Sequence, residues 1–147
     1  MAVRISIIIP AYNAALTLRA AIETILSQPV EGLEVLIVND GSTDETAVVC
    51  HDLACQDARV QVITQKNAGI CAARNRGLSA ATGDYIAFCD DDDLFLPDAL
   101  PRLLEIAEAT QADVVRGDYE LFREDQNGQF ARQPHDGGQA SYLWKSG

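Results

Sequence analysis

The chain has 147 residues, 48% of them hydrophobic and 22% charged, and a formal net charge of −11. That length and balance suit one folded domain with a real core and exclude a disordered chain. The acidity argues against nucleic acid and anionic membranes as partners, because both require clustered Lys and Arg, and no apolar stretch approaches the ~20 residues of a membrane span.

Strands and helices alternate from the start. Residues 4–9 form a short β-branched run, and after the turn Pro10-Ala11-Tyr12-Asn13 come Leu18, Ile22, Ile25 and Leu26 at helical spacing. Pro10 also interrupts the opening apolar run before a secretory hydrophobic region can form, so the expected compartment is the cytoplasm. Residues 33–38 read as a second buried strand. Ser42 with Glu45 three positions on is a capping-box pattern, predicting a helix to about Cys55.

Residues 60–64 form a third strand, and Asn67-Ala68-Gly69 turns the chain into a helix over 70–81 that Thr82-Gly83 ends. Residues 85–89 are the fourth strand. Pro97-Asp98 opens the next helix, to about Thr110, with Pro101 tolerated in its first turn. Beyond Val114-Val115 the alternation stops. Residues 119–123 and 129–132 flank Gln126-Asn127-Gly128 as a β-hairpin, and the tail PHDGGQASYLWKSG is expected to be irregular. The cysteines, Cys50, Cys55, Cys71 and Cys89, lie in apolar periodic segments without CxxC spacing and are expected to be reduced and buried. His51 has no zinc-type spacing to Cys50 or Cys55 and reads as a helix-surface residue.

This alternation predicts βαβ units, an α/β fold and a parallel sheet whose ligands bind outside the carboxyl ends of the strands. Those ends are Pro10 to Asn13, Asn39 to Ser42, Gln65 to Asn67 and Asp90 to Asp93. The last is the most unusual: FCDDDDLFLPD sets four carboxylates in a row after an apolar strand. Two like charges about 4 Å apart repel by ~1 kcal/mol in water and by about 4 kcal/mol at an effective dielectric near 20. A solvated acidic loop and a divalent-cation site are both compatible with the run.

In extended chain Asp90 and Asp92 share one face and Asp91 and Asp93 the other, so Asp92 with Asp90 or Asp91 could hold Mg2+ or Mn2+. Asp40, between a buried strand and Gly41, suits either a base ring N–H or a helix-entry role. Arg74 falls near the start of a helix, where the dipole does not favour a cation, so it suits a phosphate or base contact or an ion pair with the acidic rim.

Four stretches in this order, SIIIPAYNAALTLRAAIETILSQ, EVLIVNDGSTDET, NAGICAARNRGLSAATGDYIAFCDDDD and LFLPDAL, resemble the family 2 glycosyltransferases of GT-A fold. The resemblance covers roughly residues 3–120. It implies a three-layer αβα sandwich around a mainly parallel, Rossmann-like sheet, truncated after the nucleotide-binding half. Residues 1–118 would bind a nucleotide sugar and residues 119–147 would begin the acceptor region. The implied activity is inverting transfer of a sugar from a nucleotide diphosphate donor, UDP-linked, to the hydroxyl of a saccharide or lipid-linked acceptor, as in cell-surface polysaccharide biosynthesis.

Carried over by position, the resemblance puts Pro10, Ala11 and Tyr12 in the nucleoside pocket, Asp40 at the uracil ring N–H, and Asn67 and Arg74 near the nucleotide. Asp90-Asp91-Asp92 matches the DxD motif, with Asp90 toward the ribose or sugar, Asp91 beside it and Asp92 as ligand of Mn2+ or Mg2+. Asn39 departs from the Asp of many relatives.

No stretch matches the family's catalytic base, and Asp113, Asp118, Glu120, Glu124 and Asp125 come too early, so the base is expected outside the chain. A non-catalytic nucleotide-binding or assembly module would use the same donor motifs. A phosphorylation-switch receiver domain would need acids after the first strand and a late Lys, but no Lys lies between Lys66 and Lys145. Truncation would leave apolar surface at Phe130, Tyr142, Leu143 and Trp144 uncovered, favouring homo-oligomers through this C-terminal region.

Overall fold

The structure is a computed structural model that describes residues 4–124, 130–133 and 142–145. Among these, β1 (Ile5–Ala11) and β2 (Leu33–Asn39) are buried at every position, as an unbroken apolar run requires when a sheet is covered on both faces. Between them, α1 (Leu18–Leu26) turns Leu18, Ala21, Ile22 and Ile25 inward, the i, i+3, i+4, i+7 pattern of a one-sided helix. Then follow α2 (Thr46–Gln56), β3 (Val60–Thr64), α3 (Ile70–Ala80), β4 (Tyr85–Phe88), α4 (Ala99–Thr110), β5 (Val114–Arg116), β6 (Leu121–Glu124), β7 (Phe130–Gln133) and β8 (Tyr142–Lys145).

The main sheet has strand order β3-β2-β1-β4-β8-β5, with its first four strands parallel and β8 antiparallel to both β4 and β5. Ile5, Ile7 and Ile9 pack with Leu18, Ile22, Leu53, Leu100 and Leu104 in one core, which puts α1, α2 and α4 on that face. The opposite face carries α3. A Cβ on Gly77 of that helix would lie 2.3 Å from Ile8 Cγ2, so only glycine permits this approach to β1. The result is the expected three-layer α/β arrangement. The order also reverses at β1, since β2 and β3 extend to one side and β4 starts the other, and open α/β sheets bind ligands at such a reversal.

The loop after β4 is fixed by a residue that the sequence reading did not single out. Gln28 is buried at the end of α1, where its Nε2 donates to the carbonyls of Thr24 and Leu96 at 3.0 Å each and its Oε1 accepts from Leu100 N at 3.2 Å. Thr24 Oγ1 accepts from Phe95 N at 3.0 Å. These bonds satisfy polar groups that would otherwise be costly to bury, and they tie the acidic segment to the body of the domain.

Several expectations change. The capping box does not form. Helix α2 begins at Thr46, and Ser42 Oγ instead accepts from Asn13 N at 3.1 Å, while Asn13 Oδ1 accepts from Thr43 N at 2.8 Å. The loops after β1 and β2 clasp each other, and their backbone N–H groups compete successfully for the cap side chains. The tail is not irregular throughout, because Tyr142–Lys145 enters the main sheet.

The expected open apolar surface is likewise corrected at Leu143, which is 1% exposed, and at Trp144, half-buried with its ring 5.5 Å edge-on to Phe88. The side chains of Phe130 and Tyr142 lie outside the described residues. The hairpin forms between β6 and β7, antiparallel as predicted, although its turn, 125–129, is likewise outside them. All four cysteines are free thiols, but only Cys50 and Cys89 are buried, and Cys55 and Cys71 are exposed. No helix among the described residues is long and apolar enough to cross a membrane.

Candidate functional site

At the carboxyl ends of β1, β2 and β4, where the strand order reverses, lies a cleft of about 120 Å³ lined by Pro10, Ala11, Tyr12, Asp40, Ile70, Ala73, Asp90 and Asp91. Six of the nine predicted site residues meet there. Ile70 and Ala73 were not predicted, yet their i, i+3 spacing at the start of α3 sets them on one helix face toward the same rim. Asn67, Arg74 and Asp92 stand outside the lining, each next to it in a different way.

Asp40 forms one wall. It follows the last residue of β2 and is 3% exposed. Its Oδ1 accepts from Gln65 Nε2 at 2.7 Å and from Ala68 N at 2.9 Å, and its Oδ2 accepts from Gly69 N at 2.8 Å. Burial pushes the carboxyl pKa up, but the hydrogen bonds from Gln65, Ala68 and Gly69 together outweigh burial and hold it below the ordinary 3.8. Asp40 is therefore an anion whose acceptors are mostly filled by the β3–α3 loop. Gly41 makes that closure possible: its φ is +70°, and a Cβ there would lie 2.6 Å from Asn67 N. Asn67 is thus a neighbour of Gly41 on an exposed turn.

The opposite wall is acidic. Asp91 Oδ2 accepts from Tyr12 N at 3.2 Å, which joins the ends of β1 and β4. Desolvation and the repulsion of its neighbours raise the Asp91 pKa against the hydrogen bond from Tyr12, and desolvation with the same repulsion raises that of Asp93. Asp90 is paired with Arg74, whose Nη2 lies 2.7 Å from Asp90 Oδ1 and whose guanidinium sits 5.5 Å from the centre of the Phe88 ring. Arg74 Nε is buried with no hydrogen-bond partner among the described residues. Asp92 is exposed and makes no hydrogen bond or ion pair with the described residues. No three His, Cys, Asp or Glu side chains among the described residues converge on a point that could hold a metal ion.

The cleft at the sheet reversal thus has a buried anion on one side and carboxylates on the other, so its polar side chains offer hydrogen-bond acceptors. The sequence profile described as Glycosyl transferase family 2 matches residues 6–145. The chain belongs to that family. Among curated proteins, the glycosyltransferase GlyA of Streptococcus pneumoniae is 38% identical over 121 residues, 82% of this chain and 17% of GlyA. The glycosyltransferase EpsJ of Bacillus subtilis is 41% identical over 111 residues, 76% of this chain and 32% of EpsJ. The chain therefore spans a third or less of these relatives' own length.

Among solved structures, residues 1–349 of Staphylococcus aureus TarS in complex with UDP-GlcNAc superpose with a TM-score of 0.71 at 25% identity, over 76% of this chain and 33% of that one. The mannosyltransferase PcManGT of Pyrobaculum calidifontis, in complex with GDP-Man and Mn2+, matches with a TM-score of 0.68 at 23% identity, over 78% of this chain and 35% of that one, a likeness of fold. The GT-A likeness expected from the sequence thus holds.

Proposed function

We propose that this glycosyltransferase chain is the donor-binding portion of an inverting enzyme that moves a sugar from a nucleotide diphosphate sugar, UDP-linked, to the hydroxyl of a saccharide or lipid-linked acceptor. The observation that carries the reading is the cleft at the β1/β4 reversal, with Asp40 and Asp91 both in its lining. In the proposal Pro10, Ala11 and Tyr12 flank the nucleoside, and Asp40 accepts the base N–H. Asn67 and Arg74 lie near the nucleotide, and Asp90 and Asp91 face the ribose and sugar. The UDP-GlcNAc bound by TarS supports the choice of donor class. We place the enzyme at the cytoplasmic side of polysaccharide assembly, where such donors are made.

The donor set is compatible with a hard divalent cation. Mg2+ usually takes one or two carboxylates and completes its shell with water and substrate phosphates, so the scarcity of protein ligands here is no obstacle. Asp92 is exposed and has no described partner, and the residues beside it offer only carboxylate oxygen. Asp92 would be the principal ligand of Mn2+ or Mg2+. When bound, that ion would supply charge stabilisation to the departing diphosphate.

In the transfer the acceptor oxygen bonds to the anomeric carbon as the bond from that carbon to the phosphate oxygen breaks. The nucleoside diphosphate leaves with the electron pair, and the acceptor proton passes to a base. We assign that base to a region outside this chain. In the proposal the chain's own residues hold the donor: Asp40 fixes the base, and the bond from Tyr12 N to Asp91 ties the end of β1 to the acidic wall. Positioning of this kind can supply about 7 to 11 kcal/mol of a barrier when both reactants are oriented, so a chain that orients one reactant transfers slowly or not at all.

Calorimetry of this chain with UDP and Mn2+, followed by assay of transfer, tests the proposal. Metal-dependent binding without transfer is expected. Absence of any nucleotide binding would overturn the donor-site reading, transfer at the rate of the full-length enzyme would overturn the donor-only reading, and binding with no transfer by the full-length protein would favour a non-catalytic module.

A further inference from the structure

A carboxylate offers about four acceptor positions, two on each oxygen. Within the described residues, Asp40 has three filled: Gln65 Nε2 and Ala68 N take both positions of Oδ1, and Gly69 N takes one of Oδ2. The backbone bonds belong to the turn into α3 and are independent of side-chain identity. Gln65 is different. It stands directly after β3, and its amide orientation follows from its partner: an ionised carboxylate only accepts, so the nitrogen of the amide must face it. The bond is short, 2.7 Å, as expected for a charged acceptor.

One acceptor position, on Oδ2, is thus left for a ligand in the cleft. Bases differ in what they bring to such a site. Uracil and thymine present a single imide N–H between two carbonyl oxygens. Guanine presents two adjacent donors, the ring N–H and the exocyclic amino group, which together ask for both oxygens of a carboxylate. With both positions of Oδ1 already filled by Gln65 and Ala68, the second guanine donor would find no free acceptor on that oxygen.

We propose that Gln65 is a specificity-determining residue, filling an acceptor position of Asp40 Oδ1 and so restricting the cleft to imide bases, uracil or thymine, against guanine. The inference rests on the reading of the cleft as a nucleoside site and names the residue that chooses the base. The burial of Asp40, 3% exposed, strengthens it, because a donor left unpaired beside a buried carboxylate costs more than one at the surface.

The test compares UDP, dTDP and GDP by calorimetry in Mn2+, for the unaltered chain and for Gln65→Leu, which keeps bulk but removes the donor. In the unaltered chain UDP and dTDP should bind about ten- to a hundred-fold more tightly than GDP, the range expected for one hydrogen bond involving a charged group. In Gln65→Leu the gap should narrow at least about five-fold, with GDP gaining in absolute affinity. A residue that merely supports the loop would weaken all three ligands together, so an unchanged ratio overturns the proposal. GDP binding within two-fold of UDP in the unaltered chain overturns it as well, and that comparison stands even if Gln65→Leu does not fold. Failure of every nucleotide to bind overturns instead the nucleoside reading beneath it.

Discussion

Arg74 and Asp90 form an ion pair, 2.7 Å from Nη2 to Oδ1, so the first carboxylate of the acidic run has a cation of its own within the fold. Phe88 lies under the same guanidinium at 5.5 Å, and the three residues link the start of α3 to the end of β4. The repulsion among Asp90 to Asp93 is thus partly offset before any ligand arrives.

The pair is worth little to stability. Its side chains are 36% and 48% exposed, and exposed pairs contribute at most about 1 kcal/mol. Arg74→Ala should therefore unfold in urea within about 1 kcal/mol of the parent, while its affinity for UDP falls several-fold as the rim loses its cation. Raised salt should shrink the stability difference further. Unchanged UDP affinity in the variant would remove Arg74 from the site.

Asp92→Asn isolates the metal. The side chain is exposed and has no described partner, so the substitution should leave the melting temperature unchanged. It should abolish the Mn2+-dependent part of UDP binding, because an amide is a poor replacement for an anionic oxygen ligand. Calorimetry that shows equal Mn2+-dependent affinity in variant and parent would assign the ion to other residues.

The strands and helices up to residue 110 were legible because their apolar periodicity is strong and local. The site was legible for a different reason: in a parallel sheet the strand ends converge, so Pro10, Asp40 and Asp90 could be placed on one rim before any contact was known. What escaped was non-local. Gln28 is an unremarkable helix-end residue until Leu96 and Leu100 supply its partners. Ser42 and Glu45 carry the local pattern of a cap, but Asn13, 29 positions before Ser42, captures the hydroxyl. Tyr142–Lys145 has too few residues for a periodicity to be read, and it becomes a strand because β4 and β5 offer two edges at once.

Packing across the sheet gives a prediction independent of any ligand. Gly77→Ala adds a methyl 2.3 Å from Ile8 Cγ2, and Ile8 is fully buried in the central strand. The added atom must displace α3 or force Ile8 from its rotamer, a change that typically costs about 1 to 3 kcal/mol. Urea denaturation should show that loss despite alanine's better helix propensity. In an Ile8→Ala background Gly77→Ala should cost less than in the parent, since the clashing Cγ2 is then gone.

Asp40 joins stability to binding, and pH separates the two. Its carboxylate holds Ala68 N and Gly69 N at the entry to α3, a role like that of a helix cap, so Asp40→Ala should cost about 1 to 2 kcal/mol of stability at neutral pH. Because the folded-state pKa lies below the ordinary 3.8, the unfolded chain binds more protons between the two values. The contribution is therefore complete above 3.8 and is lost as pH falls below it through the lowered value. Urea titrations of parent and Asp40→Ala should converge over that acid interval and run parallel from pH 5 to pH 7, conditions in which the parent carboxylate stays ionised. Binding responds differently. At neutral pH the variant loses the acceptor for the base N–H, and UDP affinity should fall about ten- to a hundred-fold or more. Equal stability loss with UDP affinity within two-fold of the parent, a difference of only ~0.4 kcal/mol, would make Asp40 a buttress of α3 and leave the recognition of the base to other residues of the cleft.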